Sequence, residues 1–194
     1  MNSQDILLCK YPRKLTVRQV RKLLRQKDDT SRRILADFVL HRLQDRYITP
    51  LEKIPHKFRS GFLTMAASCL MIETFQCFRD GKKDTKQKGM GRAAFEGFFK
   101  DYQAYFPGID GGKFYESYRC GILHQAQTQD GFRVLRRGPI YDGADKSVNA
   151  TRFLRVLKRV VRKYASELHT QEMDSETWIN ALKKIEYICQ ACES

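Results

Sequence analysis

Long uninterrupted apolar runs are missing from this chain. The longest, Phe62 to Phe78, is broken by Thr64, Ser68, Glu73 and Gln76. It is too short and too polar to span a bilayer comfortably, and it reads as a buried core helix. An apolar leader is missing too, because Gln4 to Lys27 quickly becomes charged. No secretory signal is expected, no membrane partner is required, and the cytoplasm is the expected compartment. The six cysteines, at 9, 69, 77, 120, 189 and 192, are scattered and read as reduced thiols. Cys189-x2-Cys192 has no second pair and no nearby histidine, whereas a structural zinc site needs four ligands, so no metal or other cofactor is expected. There is no Walker loop, no His-Glu-x2-His and no nucleophilic serine motif. Gly108-Ile109-Asp110-Gly111-Gly112 lacks the Gly-Lys-Ser/Thr ending of a phosphate loop and reads as a turn. No internal repeat is visible.

Acidic residues are also scarce: 22 Asp and Glu face 36 Lys and Arg, for a net charge of +14. The excess sits in residues 10–59, with 15 basic against 5 acidic side chains, while 171–194 carries 2 against 5. A cationic surface attracts polyanions, and nucleic acid is the commonest large one in cells. On charge alone, a solvated basic face or a contact with anionic membrane are the alternatives.

With 194 residues, 42% hydrophobic and 30% charged, one sizeable core is expected. Thr16 precedes Val17, Val20, Leu23 and Leu24 at helical spacing, and a second helix runs from about Ser31 to Tyr47. Pro50 and Pro55 mark a connection before a third, most buried helix, Lys57 to Arg79. The Gly- and Lys-rich stretch from Asp80 to Gly91 cannot build a core and reads as a loop. Helical spacing resumes from Ala93 to Phe106, and Asp110 opens a further helix. Phe132 to Arg137 alternates apolar and basic residues, and Gly138-Pro139 then separates it from Ile140-Tyr141, which suggests a small β hairpin. Asn149 caps a long helix to about His169, and Asp174 or Ser175 opens the last one. The sum is an all-α fold: a bundle of about four core helices with extra terminal helices and a small β hairpin. The expected divisions are a basic helical segment 1–56, a core 57–170 and a C-terminal helix 171–194 packed on it.

Within this frame, the chemistry-bearing segment is Phe114 to Gln125. It carries Arg119 and His124 in an aromatic amphipathic run that stops at a polar stretch. Arg-x4-His arises about 0.4 times by chance in a chain of this composition, so spacing alone proves nothing. Five residues turn a straight α-helix through about 500°, leaving Arg119 and His124 roughly 140° apart unless the backbone bends or tightens near Gly121. A fixed cation beside a near-neutral acid/base suits cleavage of RNA, whose 2′-hydroxyl is its own nucleophile. The plainer alternatives are a helix-terminal His124 bonded to a carbonyl, Arg119 paired with Glu116 or another helix, and Glu73 as an ordinary buried ion-pair partner. Arg162 and His169 read as surface residues, and His41 and His56 have no nearby constellation. Tyr118, Arg133, Arg136 and Arg137 are the candidate RNA-binding residues, with 132–137 as a substrate arm.

Tyr118-Arg119-Cys120-Gly121-Ile122-Leu123-His124-Gln125, following the helical run Gly61 to Phe75, resembles the HEPN superfamily over about residues 58–170. The resemblance implies a helical-bundle, metal-independent ribonuclease of the kind found in bacterial toxin, abortive-infection and CRISPR-associated systems. The Arg-x4-6-His motif maps onto Arg119 and His124. Many members carry Asn after the arginine, where this chain has Cys120. Many also supply an acidic residue from a neighbouring helix, and Glu73 matches it. A homodimer whose two motifs face one cleft, products with 2′,3′-cyclic phosphate and 5′-hydroxyl ends, and an antitoxin or defence-complex partner are further implications. A catalytically inactive module that binds RNA or a partner is the alternative.

Overall fold

The computed structural model describes residues 2–55 and 57–193; His56, set aside above, lies outside them. The chain is mainly helical with little strand. A short 3-10 turn (Ser3–Asp5) leads to β1 (Leu7–Cys9), β2 (Leu15–Thr16), α1 (Val17–Gln26) and α2 (Asp29–Leu43), then a π-helical turn (Gln44–Ile48) and α3 (Thr49–Glu52). Next come α4 (Gly61–Asp80), α5 (Met90–Asp101), α6 (Gly111–Phe114), a second π-helical turn (Tyr115–Cys120) and α7 (Gly121–Gln125). Strands β3 (Arg133–Leu135), β4 (Tyr141–Asp142) and β5 (Ser147–Asn149) precede α8 (Ala150–Thr170) and α9 (Glu176–Glu193).

The helix starts follow from side-chain oxygens that satisfy first-turn N–H groups. Thr16 and Gln19 form a reciprocal capping box, Asp110 accepts from the Lys113 N–H at 2.8 Å, and Asn149 accepts from the Arg152 N–H at 3.0 Å. Ser175 does the same for Trp178 at 3.4 Å.

Two compact units emerge. The first comprises 1–46, 77–83 and 161–194, and the second 47–76 and 84–160. Helices α1 and α2 of the basic N-terminal segment and the C-terminal helix α9 share the first unit. Long-range polar contacts explain the union: Arg21 pairs with Glu186 and Glu193, Arg32 donates to the carbonyl oxygens of His169 and Gln171 at 2.7 and 3.0 Å, and the buried Trp178 indole donates to Leu168 O at 2.9 Å. His169 is tied to Asp37 at 3.0 Å.

The second unit is packed with aromatic rings. Phe114 lies 4.8 Å from Phe99, 4.7 Å from Tyr118 and stacked at 5.4 Å on Phe153. Each fully buried phenylalanine contributes about 1.5–3 kcal/mol, so these rings fix the helical run that carries Arg119. The strands differ from the expected hairpin. Ser147–Asn149 is buried throughout and takes the centre of the sheet. It pairs in parallel with β3 and antiparallel with β4, so Arg133–Leu135 and Tyr141–Asp142 do not meet.

Among the described residues, one helix, Gly61–Asp80, is long and apolar enough to cross a membrane, and 61% of its apolar window is buried within the protein.

Candidate active site

Residues 111–125 run as a nearly continuous helix that widens into a π turn at Tyr115–Cys120. The Gly121 N–H accordingly bonds back to the Glu116 carbonyl, a five-residue step in place of the α-helical four. The widened turn overturns the straight-helix geometry. Arg119 and His124, which an ideal helix separates around its circumference, come within 3.3 Å through Nη1 and Nε2. The backbone widens before Gly121 and does not bend at it.

Gly121 has a different task. The chain leaves α7 through Ala126 in the left-handed conformation (φ 54°) and doubles back, so that a Cβ on residue 121 would lie 2.5 Å from the Gln127 carbonyl oxygen and 3.1 Å from Thr128 Cα. Gln129 N–H also donates to Ser117 O at 3.0 Å, which fixes the return segment. Gly121→Ala is expected to cost about 1–3 kcal/mol of stability through this overpacking, read as a lower midpoint in denaturant unfolding; a midpoint equal to wild type would show that the return segment simply yields.

Glu73, from α4, completes the cluster. Its Oε1 accepts from Arg119 Nε at 2.7 Å, and its Oε2 accepts from the Thr85 hydroxyl at 2.5 Å. The carboxylate is thus held at both oxygens. Only 12% of the Glu73 side chain and 21% of the Arg119 side chain is exposed. The Arg119 guanidinium lies 5.4 Å over the Tyr115 ring. Burial alone would lower the Arg119 pKa, but the hydrogen bond and charge of Glu73, with Tyr115 and Cys120, outweigh it and raise it further. Arg119 is a fixed cation at any working pH. Burial pushes the Cys69 thiol up, and Glu73 adds to the effect. Tyr115 is raised as well, by burial and by its hydrogen bond with the Cys120 thiol.

An arginine only donates, so the contact with His124 engages a lone pair on Nε2 and implies the neutral tautomer with its proton on Nδ1. Of the five N–H donors of a guanidinium, Nε and one on Nη1 are engaged, and the Nη2 edge stays available to a phosphate. His124 and Leu123 are exposed at the helix end. Glu116, one alternative partner for Arg119, pairs with Arg92 instead.

The expected RNA contacts fare unevenly. Tyr118 is fully buried, with its ring among Phe114 and Phe132 and its hydroxyl donating to Arg133 O at 3.2 Å. It anchors the motif helix to the sheet and offers no face for a base to stack on, because the aromatic periodicity there serves the core. Arg133 pairs with Asp145, Arg136 donates to Thr151 Oγ1 at 3.4 Å and Phe58 O at 3.3 Å, and Arg137 is exposed. None of these three arginines touches the Glu73–Arg119–His124 cluster. Thr85 is the residue that sequence reasoning missed, because it lies in the Gly- and Lys-rich loop, where nothing marks it; Tyr115, which the sequence offers as a candidate lining of a strand-binding groove, instead lies under the Arg119 guanidinium.

No family model, no curated protein and no solved structure matches this chain.

Proposed function

We propose that this chain is a metal-independent endoribonuclease of HEPN type, acting in the cytoplasm in a bacterial toxin or anti-phage setting. The observation that carries the reading is that Arg119 touches Glu73 and His124 at once, at 2.7 and 3.3 Å, joining a motif separated in sequence from its acidic partner by 46 positions. Helices α4, α5, the 111–125 run and the first part of α8 correspond to the four core helices of such a bundle.

In the reaction, a phosphate oxygen draws the Arg119 Nη N–H groups away from His124 and frees the Nε2 lone pair. His124 then takes the proton of the 2′-hydroxyl. The 2′-oxygen bonds to phosphorus, the bond to O5′ breaks, and a protonated histidine supplies the leaving oxygen with its proton. The products carry a 2′,3′-cyclic phosphate and a 5′-hydroxyl. Arg119 stabilises the charge that grows on the phosphorane, while Glu73, itself held by Thr85, keeps the guanidinium in place.

A single histidine cannot be base and acid in the same step, so the reading takes a second copy of the chain to supply the other. Leu63, Ala66, Ala67 and Leu70 recur at helical spacing on α4, with Leu63 56% and Leu70 42% exposed, and Leu123 adjoins His124. Such an apolar strip beside charged catalytic groups suits a two-fold contact. Leu70→Glu is expected to yield a monomer in sedimentation that has lost cleavage; a monomer of full activity contradicts the shared cleft.

The test of the chemistry is incubation of end-labelled RNA with the chain in EDTA. Fragments ending in cyclic phosphate and 5′-hydroxyl support the reading, and 3′-hydroxyl ends oppose it. RNA bound but left intact favours a catalytically silent module that binds RNA or a partner in a larger defence complex. Cys120 supports this second reading, because its thiol is a weaker hydrogen-bonding group than the Asn many HEPN members carry there.

A further inference from the structure

The second unit holds a cavity of about 260 Å³ whose wall includes no residue of the Glu73–Arg119–His124 cluster. Ile54 and Leu154 give the wall an apolar part, while Ser60, Thr64, Thr151 and Arg155 supply hydroxyl and guanidinium groups. Its charge is one-sided. No Asp or Glu occurs between Glu52 and Glu73, between Asp130 and Asp142, or between Asp145 and Glu167, and these stretches build all of the wall beyond Leu51 and Glu52. Glu52 is already held by Lys158 Nζ at 2.7 Å. Arg155, with Arg152 one turn before it and Arg159 one turn after, is exposed, and no carboxylate pairs with these three among the described residues.

Phe58 adds an independent observation. It is 57% exposed, yet its backbone is fixed: its N–H donates to Pro55 O at 3.0 Å, and its carbonyl oxygen accepts from Arg136, a residue of the cavity wall, at 3.3 Å. Arg136 also donates to Thr151 Oγ1 at 3.4 Å, so the turn that carries the ring is tied to the cavity. The Lys57 ammonium lies 5.4 Å from the ring centroid, and Arg59 beside it in the chain is exposed. More than half of this residue's surface gains nothing from folding. An ordered backbone thus presents an aromatic ring to solvent among cations.

We infer that this surface binds single-stranded nucleic acid, with Phe58 as the platform on which a base stacks, Arg152 and Arg155 as phosphate ligands, and the cavity as the seat of a neighbouring base. Aromatic platforms beside a cationic track are how single strands are held without regard to sequence. A duplex keeps its base faces closed in the stack and offers Phe58 nothing flat. Pockets for larger ligands run upward from about 300 Å³, so a cavity of this size suits one base, whose edge the hydroxyl groups can meet. That the strand is RNA rests on the ribonuclease reading; the stacking site itself does not.

The test is fluorescence anisotropy of the full chain with a labelled 2′-O-methyl RNA strand of about a dozen nucleotides, beside the same sequence as DNA and as a duplex. Such a strand lacks the nucleophile for cleavage and stays whole. The single strands are expected to bind more tightly than the duplex, with affinity about tenfold weaker in Phe58→Ala and kept in Phe58→Trp. Arg155→Gln and Arg152→Gln are each expected to flatten the slope of log affinity against log salt by about 0.7, the loss of one phosphate contact. Lys100→Gln, at an exposed position on α5 outside the cavity wall, leaves affinity and slope unchanged. Wild-type affinity in Phe58→Ala, equal weakening by Arg155→Gln and Lys100→Gln, or a duplex bound as tightly as the strand overturns the inference. Phe58-dependent binding to vesicles of phosphatidylcholine and phosphatidylserine, with none to the strand, overturns it too and makes the patch a membrane contact. Phe58-dependent strand binding without cleavage of ordinary RNA in EDTA supports the site while ending the nuclease reading.

Discussion

Arg119→Ala is expected to lower the cleavage rate by about 10²- to 10³-fold and to destabilise the second unit at the same time. The kinetic loss follows from removing a preorganised cation from the position where charge grows in the transition state. The stability loss has a separate origin. Glu73 is nearly buried and, among the described residues, keeps only the Thr85 hydroxyl once Arg119 is gone. Breaking a fully buried pair costs about 3–5 kcal/mol. Because both side chains here retain some solvent contact, about 1–3 kcal/mol is the appropriate scale. Arg119→Lys separates the two effects. It restores charge opposite Glu73 and most of the stability, but a lysine has no fork to span Glu73, His124 and a phosphate together, so activity stays low. Unfolding midpoints and single-turnover rates on the three proteins check both halves. Full activity in Arg119→Lys would leave the guanidinium with no special part in the site.

His124→Ala is expected to cut cleavage by about 10²- to 10⁴-fold, the range for a well-placed general acid/base, with almost no change in stability. The imidazole is exposed, and its one polar contact among the described residues is to Arg119, which keeps its bond to Glu73. The variant therefore removes chemistry and leaves the scaffold. A melting temperature that falls as far as that of Arg119→Ala would mean that His124 is structural.

Much of the helical frame was legible because helices announce themselves locally. Thr16, Asp110, Asn149 and Ser175 each carry the side-chain oxygen that a helix start requires, and each caps one. Pairing across distance is not written locally. Alternation in Phe132 to Arg137 reveals a strand but cannot name its partner, and the buried Ser147–Asn149 strand took the place expected of Tyr141. The short strands at Leu7–Cys9 and Leu15–Thr16 were too brief to leave a pattern. The bonds from Arg21 to Glu186 and Glu193, which help join the chain's two ends, span more than 160 positions.

The site shows the same division. Arg119, His124 and Glu73 stood out by residue type and by resemblance, and they do come together. Their geometry was not legible, because α-helical periodicity places the first two well apart and nothing in Tyr115 to Cys120 announces a π turn. Gly121 was noticed for the wrong reason: it looked like a flexible joint, and it is the contact point of a returning segment. Tyr118 shows the converse limit, since an aromatic beside arginines reads as a stacking platform until its burial is known. His41 appeared isolated because one of its neighbours, the Tyr11 ring at 5.1 Å, comes from another part of the chain.

The central claim is that a metal-free Arg–His–Glu cluster cleaves RNA. Its most direct test is the single-turnover cleavage rate of wild type and His124→Ala on the same end-labelled RNA in EDTA, with both proteins saturating and equally folded. The account predicts rapid wild-type cleavage to cyclic-phosphate ends and a rate at least about a hundredfold lower in the variant at unchanged RNA affinity. Equal rates in the two proteins, or no cleavage by either while RNA stays bound, would contradict it.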